Sequence, residues 1–145
     1  MHSTDPFNLH RFVDAQATTF AQAHAELELG QKRTHWMWFI FPQIAGLGSS
    51  PTAQRFAIRS MDEATAYLAH PLLGPRLRDC TALVLTHPTR AVSDIFPYPD
   101  DLKFHSSLTL FAVADPDTPL FRSALDTFFH SQRDEATLAL LGTMS

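Results

Sequence analysis

His35-Trp-Met-Trp-Phe-Ile-Phe-Pro42 is the stretch of sequence that decides the fold. Residues 36–41 are apolar on every side, so periodicity alone does not separate a buried helix from a buried strand. Pro42 ends the run, and the chain contains no second clear strand that could pair with it. The stretch therefore predicts a short buried helix and, with it, an all-α domain.

The N-terminal segment predicts two helices. Asp5 followed by Pro6 is typical of a helix start, with Asp5 as the cap and Pro6 at the first helical position. Apolar residues then recur at helical spacing, and we expect Thr18-Thr19 to divide the segment. Gly30 is a natural residue to end the second helix, because glycine readily adopts the left-handed conformation found there.

Turn and cap signals divide the rest of the chain. Residues 46–51, rich in Gly and Ser and ending in Pro51, predict one long flexible loop. Ser60 and Glu63 form a capping box that opens a helix to about Ala69. Further helices are predicted at about 72–86, 93–96, 100–113, 118–130 and 134–141. The expected architecture is a single compact multihelical domain of seven to nine short helices at mixed packing angles.

Length and composition fit one globular domain. The chain has 145 residues, 45% of them hydrophobic, including 12 Phe, and it shows no repeat or linker. We assign residues 1–145 to one domain with an ordered core of about 5–141. The net charge of −4 argues against broad nucleic-acid binding, which needs a basic surface. The short basic stretches at 31–33 and 76–78 are expected to form solvated faces.

Several classes of site are not expected. Cys80 has no partner for a disulfide, and its apolar neighbours in sequence predict a buried, inert thiol. The eight His are scattered without metal-binding spacing, and no cofactor motif is present, so we expect no metal and no cofactor. No apolar leader or membrane-length run occurs, which predicts a cytoplasmic protein with no membrane partner.

The first candidate cluster is the same Trp-rich stretch. Trp36 and Trp38 each need a partner for the indole N–H when buried, so they are costly residues to place unless packing or recognition requires them. On a helix they point to different faces: one face can be core, while the other meets a second layer, a partner or a ligand. Gln43 and the glycines that follow could let the backbone approach a bound group. Core packing alone remains the competing interpretation.

The second candidate cluster lies on the helix predicted at 100–113. Ser106 and Ser107 stand at i+3 and i+4 from Lys103, so one ammonium and two hydroxyls are expected to converge. Such a group suits a phosphate or a carboxylate. The competing interpretation is an ion pair between Lys103 and Asp100 that only supports the helix. We predict that residues 34–43 and 100–107 meet in space.

The sequence resembles a bacterial family catalogued as domain of unknown function 1810. The resemblance is carried by the His35–Gln43 core and extends over about Asp5 to Leu141. It implies a small all-helical domain. Members are sometimes labelled calpastatin-like, a label that suits long, disordered, repetitive chains and not this one. The candidate residues that match the family pattern directly are His35, Trp36, Trp38, Gln43, Arg55, Lys103 and Ser107.

These residues suggest two functions. The first is a pocket for a small anionic molecule, nucleotide- or ADP-ribose-like, in which aromatic planes stack a base while Arg55, Lys103 and the serines hold an anionic group. By analogy, such a pocket could belong to an N-glycosidase-like enzyme, for which His35 and Asp101 are candidate acids or bases by residue type. The second is a non-enzymatic interaction or homodimerisation module that uses the Trp-rich cluster as its anchor. The sequence leaves open whether the protein is an enzyme.

Overall fold

Nine helices make up the regular structure of residues 5–144, the part of the chain that the computed structural model describes, with side chains to residue 142. They are α1 His10–Leu29, α2 Met37–Ile40, α3 Pro51–Arg55, α4 Met61–Ala69, α5 Leu73–Leu85, α6 Val92–Ile95, α7 Asp100–Ala114, α8 Pro119–Phe129 and α9 Glu135–Met144. Over these residues the only β-type pairing is a single bridge between Ile44 and Ile58. The predicted all-α class and the predicted number of helices are confirmed. None of the helices described is long and apolar enough to cross a membrane.

The N-terminal prediction was wrong in two details. The first helix begins at His10, because the segment from Asp5 forms a turn whose Asp5 carboxylate accepts hydrogen bonds from the backbone N–H groups of Leu9 and His10. It also runs without a break through Thr18-Thr19, where the Thr19 hydroxyl donates to a backbone carbonyl one turn earlier. The end at Gly30 is as predicted, with φ of 77°.

Residues 46–50 form a loop, as predicted, but the short helix that follows directly was missed by sequence reasoning. α3 begins at Pro51, and the Ser50 hydroxyl caps it by accepting from the N–H of Ala53 at 3.1 Å. The sequence carried this signal, since Ser followed by Pro is a common helix start. The neighbouring glycines favoured a loop prediction instead of this helix start. Gly48 packs so closely on Ala53 that any side chain at residue 48 would collide with it.

An aromatic cluster joins α2, α6 and α7. The Phe96 and Phe104 rings stack with centroids 4.5 Å apart, and Phe41 meets Phe104 edge to face at 5.0 Å. All three side chains are fully buried. Each such ring removes roughly 150–250 Å² from water, so this cluster is a major part of the core. It fixes the end of the Trp-rich stretch against the first turns of α7.

The α7 helix is central to the packing. It contacts α4, α6, α8 and α9, and most of its residues from Phe104 to Ala112 are buried. Its first turn, by contrast, remains at the surface and carries Asp100, Asp101 and Lys103. The candidate polar residues of α7 therefore lie where a deeply packed helix emerges from the core.

Candidate functional site

Lys103 lies against Trp38, and this contact brings the two sequence clusters together. The ammonium nitrogen is 4.2 Å from the centroid of the Trp38 ring, a distance typical of a cation–π interaction. The prediction that residues 34–43 and 100–107 meet in space is confirmed by this contact. It follows from the aromatic cluster described above, which holds α2 and α7 side by side.

Asp100 lies between two lysines at the start of α7. Its Oδ2 atom is 2.7 Å from Nζ of Lys32, and its Oδ1 atom is 3.4 Å from Nζ of Lys103. Lys32 is nearly buried and also lies over the Trp36 ring at 5.2 Å, so the expectation that it belongs to a solvated face was wrong. The closer and more buried Lys32 is the main partner of the carboxylate. Lys103 is left with a longer, more exposed contact.

A groove of about 500 Å³ opens beside Lys103 and Trp38. It runs between the segment from Leu47 to α3 on one side and the starts of α7 and α9 on the other. Its lining residues are Trp38, Gln43, Leu47, Gly48, Ser49, Ser50, Ala53, Pro99, Leu102, Lys103, His105, Ser106, Asp134 and Ala136. Mostly apolar walls with a few polar groups are typical of sites for small molecules.

The two tryptophans differ in role. Trp38 is partly exposed and lines the groove, whereas Trp36 is 1% exposed and belongs to the core. The Trp36 indole N–H donates to Oε1 of Glu26 at 2.9 Å. Trp36 was expected at the ligand site, but the structure places it in the packing layer beneath that site.

Glu26 is a buried carboxylate that organises residues 33–36. It accepts hydrogen bonds from the Thr34 hydroxyl, the backbone N–H groups of Arg33 and Thr34, the Gln22 amide and the Trp36 indole. Burial by itself raises the pKa of Glu26, but these hydrogen bonds outweigh it, with Thr34 contributing most, and lower the pKa to about 2. The charged Glu26 thus anchors the segment that leads into the Trp-rich helix.

The two serines of α7 do not both reach the groove. Ser106 lines it, but its hydroxyl lies 2.9 Å from Oδ2 of Asp134 and 3.1 Å from the carbonyl of Leu102. Ser107 is 1% exposed and does not line the groove, and its buried hydroxyl has no hydrogen-bond partner among the described residues. The convergence of Lys103 with two hydroxyls that helical spacing predicted is therefore reduced to Lys103 beside Ser106.

The groove has two further titratable residues, Asp134 and His105, and the sequence reasoning missed both. Asp134 precedes α9, where its Oδ2 also accepts from the backbone N–H of Thr137 at 3.2 Å. The His105 ring stacks on Phe129 with centroids 4.1 Å apart and interplanar angle 8°, and its Nε2 is 2.7 Å from the carbonyl of Gln132. An acidic residue before a helical run signals a cap. No sequence signal places that cap beside Ser106.

Gln43 and Arg55 occupy different places. Gln43 lines the groove, and its backbone carbonyl accepts from the N–H of Ile58 at 2.8 Å, which fixes its position. In the described residues its side-chain amide makes no hydrogen bond. Arg55 is exposed and lines two other clefts instead. The structure does not place Arg55 with Lys103.

Neither candidate acid or base lines the groove. His35 is exposed at the surface, and Asp101 accepts a hydrogen bond from the N–H of the adjacent Leu102 at 2.9 Å. Cys80 is fully buried, as predicted, and burial raises the pKa of its thiol to about 12. The thiol is therefore protonated and inert near neutral pH. Across the described residues, no three His, Cys, Asp or Glu side chains are grouped as metal ligands are.

The chain belongs to the family described as "Protein of unknown function (DUF1810)", which its sequence matches over residues 6–141. The crystal structure of the conserved hypothetical protein Rv1873 from Mycobacterium tuberculosis is similar to it at 51% sequence identity, with a TM-score of 0.94. That similarity covers 95% of this chain and 99% of the other. No curated protein sequence is significantly similar to this chain. The comparisons thus establish the family and leave function to be argued from the site.

Proposed function

We propose that the groove beside Trp38 binds a small molecule that carries an anionic group, with Lys103 as the cation that receives it. The observation that supports this most directly is the position of the Lys103 ammonium. It lies at the groove, over the Trp38 ring and 3.4 Å from an Asp100 carboxylate that is already paired closely with Lys32. A charged donor held by an aromatic face, whose carboxylate partner is shared with a closer lysine, suits an oxyanion.

The shape of the groove supports a ligand with an apolar or planar body. Its volume of about 500 Å³ falls within the roughly 300–1,000 Å³ typical of small-molecule sites. Leu47, Pro99 and Leu102 supply apolar walls. One face of Trp38 is already covered by Lys103, so the ligand body meets the remaining indole surface and these walls. Nucleotide- or ADP-ribose-like molecules combine a planar body with anionic groups in this way.

Polar side chains that make no hydrogen bond within the described residues give the groove its selectivity for a ligand. Gln43 offers a side-chain amide with both a donor and an acceptor, and Ser49 offers a hydroxyl. A few polar groups in a mostly apolar site fix the orientation of a ligand.

The proposal is for binding, because titratable groups of the groove are already engaged in structural hydrogen bonds. Hydrolysis of an N-glycosidic bond needs a carboxyl group free to act on the sugar or on water. Asp134 is the carboxylate that lines the groove, and its Oδ2 atom already accepts hydrogen bonds from Ser106 and from the backbone and hydroxyl of Thr137. His105 also lines the groove, but its Nε2 is engaged by the carbonyl of Gln132.

The test is a thermal-shift screen followed by substitution of Lys103. Nucleotides, dinucleotides, ADP-ribose and simple carboxylates are screened, and hits are titrated against the wild type and Lys103→Met. Loss of one charged hydrogen bond weakens binding by roughly 10- to 100-fold. The matched control is Arg33→Met, which removes a cation from an exposed position that does not line the groove. Hits with equal affinity for wild type and Lys103→Met, or no hit from the panel, contradict the proposal.

The second candidate is a homodimer that uses the rim of the same groove. Leu102 is 52% exposed and Tyr98 is 77% exposed, which is unusual for large apolar side chains so close together in sequence. Sedimentation analysis of the wild type and Leu102→Asp separates the two functions. Self-association that Leu102→Asp abolishes supports the dimer, and a monomer at all concentrations eliminates it.

A further inference from the structure

Three arginines line a second cleft, which shares no lining residue with the groove at Lys103. This cleft has a volume of about 520 Å³ and is lined by Arg11, Arg55, Arg59, Ser60 and Glu63, together with the turn of residues 6–8. In a chain of net charge −4, three guanidinium groups around one cleft are a local excess of positive charge. Their hydrogen bonds separate one structural arginine from two whose guanidinium groups make no hydrogen bond within the described residues, although that of Arg55 lies over the Phe56 ring at 5.4 Å.

Arg11 is the structural one. Its Nη2 atom is 2.7 Å from Oε2 of Glu63 and also donates to the carbonyl of Ala57, while its Nε atom donates to the carbonyl of Arg55 at 2.7 Å. Its Nη1 atom donates to two further carbonyls, in the turn of residues 6–8. All five N–H donors of the group are therefore used. Arg11 ties α1 to the segment of residues 55–59 and fixes the backbone that carries the other two arginines.

Arg55 and Arg59 have no carboxylate partner among the residues that the structure describes. Both side chains are exposed, and neither forms an ion pair with any side chain in the described part of the chain. Glu63 is the acidic residue of the lining. Its carboxylate already accepts hydrogen bonds from the Arg11 guanidinium and, at 2.9 Å, from the backbone N–H of Arg59. On the neighbouring cleft that Arg55 also lines, Asp14 pairs with His10. The lining thus carries two unpaired positive charges.

Ser60 adds a neutral donor between these charges and α4. Its Oγ atom accepts the backbone N–H of Glu63 at 3.0 Å as the cap of that helix. A hydroxyl that accepts in this way keeps its own hydrogen for donation, and no acceptor in the described residues takes it.

We propose that this arginine cleft binds the phosphate group of a small phosphorylated metabolite. Two guanidinium forks and a hydroxyl donor match a phosphate monoester, which is dianionic near neutral pH and presents three oxygens. The net charge of −4 disfavours extended contact with a nucleic-acid backbone, so the cleft suits one phosphate and not a polymer. The proposal is independent of the groove at Lys103, because the two sites share no residue.

The test is a titration of the whole protein with inorganic phosphate and with pyrophosphate at low ionic strength, followed by backbone amide NMR. We expect saturable shifts at residues 8 and 59–63, and about tenfold weaker binding in Arg55→Gln and in Arg59→Gln, on the scale of one lost charged hydrogen bond. Arg90→Gln is the matched control, since Arg90 is exposed, forms no ion pair with any described residue and does not line this cleft. It should bind as the wild type does. Lys103→Met tests independence from the groove. This control should show the same shifts at residues 8 and 59–63 as the wild type does, whatever binds at the groove.

Three outcomes overturn the proposal. Equal weakening by Arg90→Gln and Arg59→Gln shows only the effect of net charge, and shifts spread over the whole surface show only diffuse attraction. Binding of a single-stranded oligonucleotide without binding of phosphate or pyrophosphate shows a nucleic-acid surface. Because Arg55 and Arg59 are exposed and their side chains make no hydrogen bond within the described residues, both variants are expected to fold.

Discussion

The ammonium of Lys103 lies 4.2 Å from the centre of the Trp38 ring, so a cation from α7 covers an indole face from α2. Neither residue is buried completely, and both line the same groove. The contact orders a flexible lysine beside an apolar surface, which lowers the entropy that a ligand would otherwise have to remove from it. This relationship underlies the proposed site.

Lys32→Met is expected to destabilise the fold more than Lys103→Met. Lys32 makes the closer contact with Asp100, at 2.7 Å against 3.4 Å, and its side chain is 7% exposed against 24%. Removing it leaves a largely buried carboxylate without its main partner, which costs about 2 kcal/mol or more, whereas an exposed pair contributes within about 1 kcal/mol. Urea denaturation of both variants measures the difference. Equal losses would contradict this ranking of the two lysines.

Glu26→Gln is expected to lower the free energy of unfolding by about 2–4 kcal/mol at neutral pH, because an amide cannot accept all the hydrogen bonds that Glu26 now accepts. Glu28→Gln is the control, since Glu28 lies on the same helix, is 57% exposed and pairs with His24. The control should change stability by less than about 1 kcal/mol. Urea denaturation is the measurement, and a loss no larger than that of the control would contradict the anchoring role.

The lowered pKa of Glu26 also predicts that the stability of the fold depends on pH in the acid range. The pKa of this carboxyl is lowered from 4.5 to about 2 in the folded protein, so the ionised form stabilises the fold fully above about pH 5. That stabilisation is lost as the pH falls from about 4.5 towards 2, where the folded state also takes up the proton. The free energy of unfolding, measured from pH 7 to 3, should therefore fall less steeply in Glu26→Gln than in the wild type. Parallel curves below pH 5 would show that Glu26 is not the group responsible.

Arg11→Lys is expected to destabilise the protein by about 2–4 kcal/mol, although it keeps the charge. A lysine has three donors and no fork, so it cannot replace the five hydrogen bonds of Arg11 to four carbonyls and Glu63. Arg59→Lys is the matched control, because the Arg59 guanidinium makes no hydrogen bond to the described residues, and it should be nearly neutral. Thermal and urea unfolding measure both variants. A neutral Arg11→Lys would refute the structural role of Arg11.

The Cys80 thiol is expected to be unreactive in the native state. It is fully buried, and burial raises its pKa to about 12, so neither access nor thiolate is available at pH 8. Ellman's reagent should modify it only after denaturation in urea. Rapid modification of the native protein, at the rate of a free thiol, would contradict its burial.

Local signals that start and end helices explain how much of the fold could be predicted from the sequence. The Ser60 cap and Gly30 both act through hydrogen bonds within a few residues, and both are found where the sequence predicted them. The predicted capping box is only half formed, because the Glu63 side chain accepts from the N–H of Arg59 instead of that of Ser60. The break predicted at Thr18-Thr19 was wrong because the helix-propensity penalty of threonine is small and the packing of α1 overrides it. α3 was missed because glycines suggested a loop where Ser50 and Pro51 begin a helix.

Sequence alone determined the class of fold, the core and the two segments that meet at the candidate site, because hydrophobic burial and helix capping depend on residue type and local spacing. Tertiary structure alone decided which side chains face the groove. It separated Trp36 from Trp38 through the hydrogen bond of Trp36 to Glu26, and it brought Asp134 to Ser106 from the segment before α9. It also moved Arg55 away from Lys103 and into a cleft with Arg59. These outcomes depend on how helices pack against each other, and no local pattern encodes such long-range geometry.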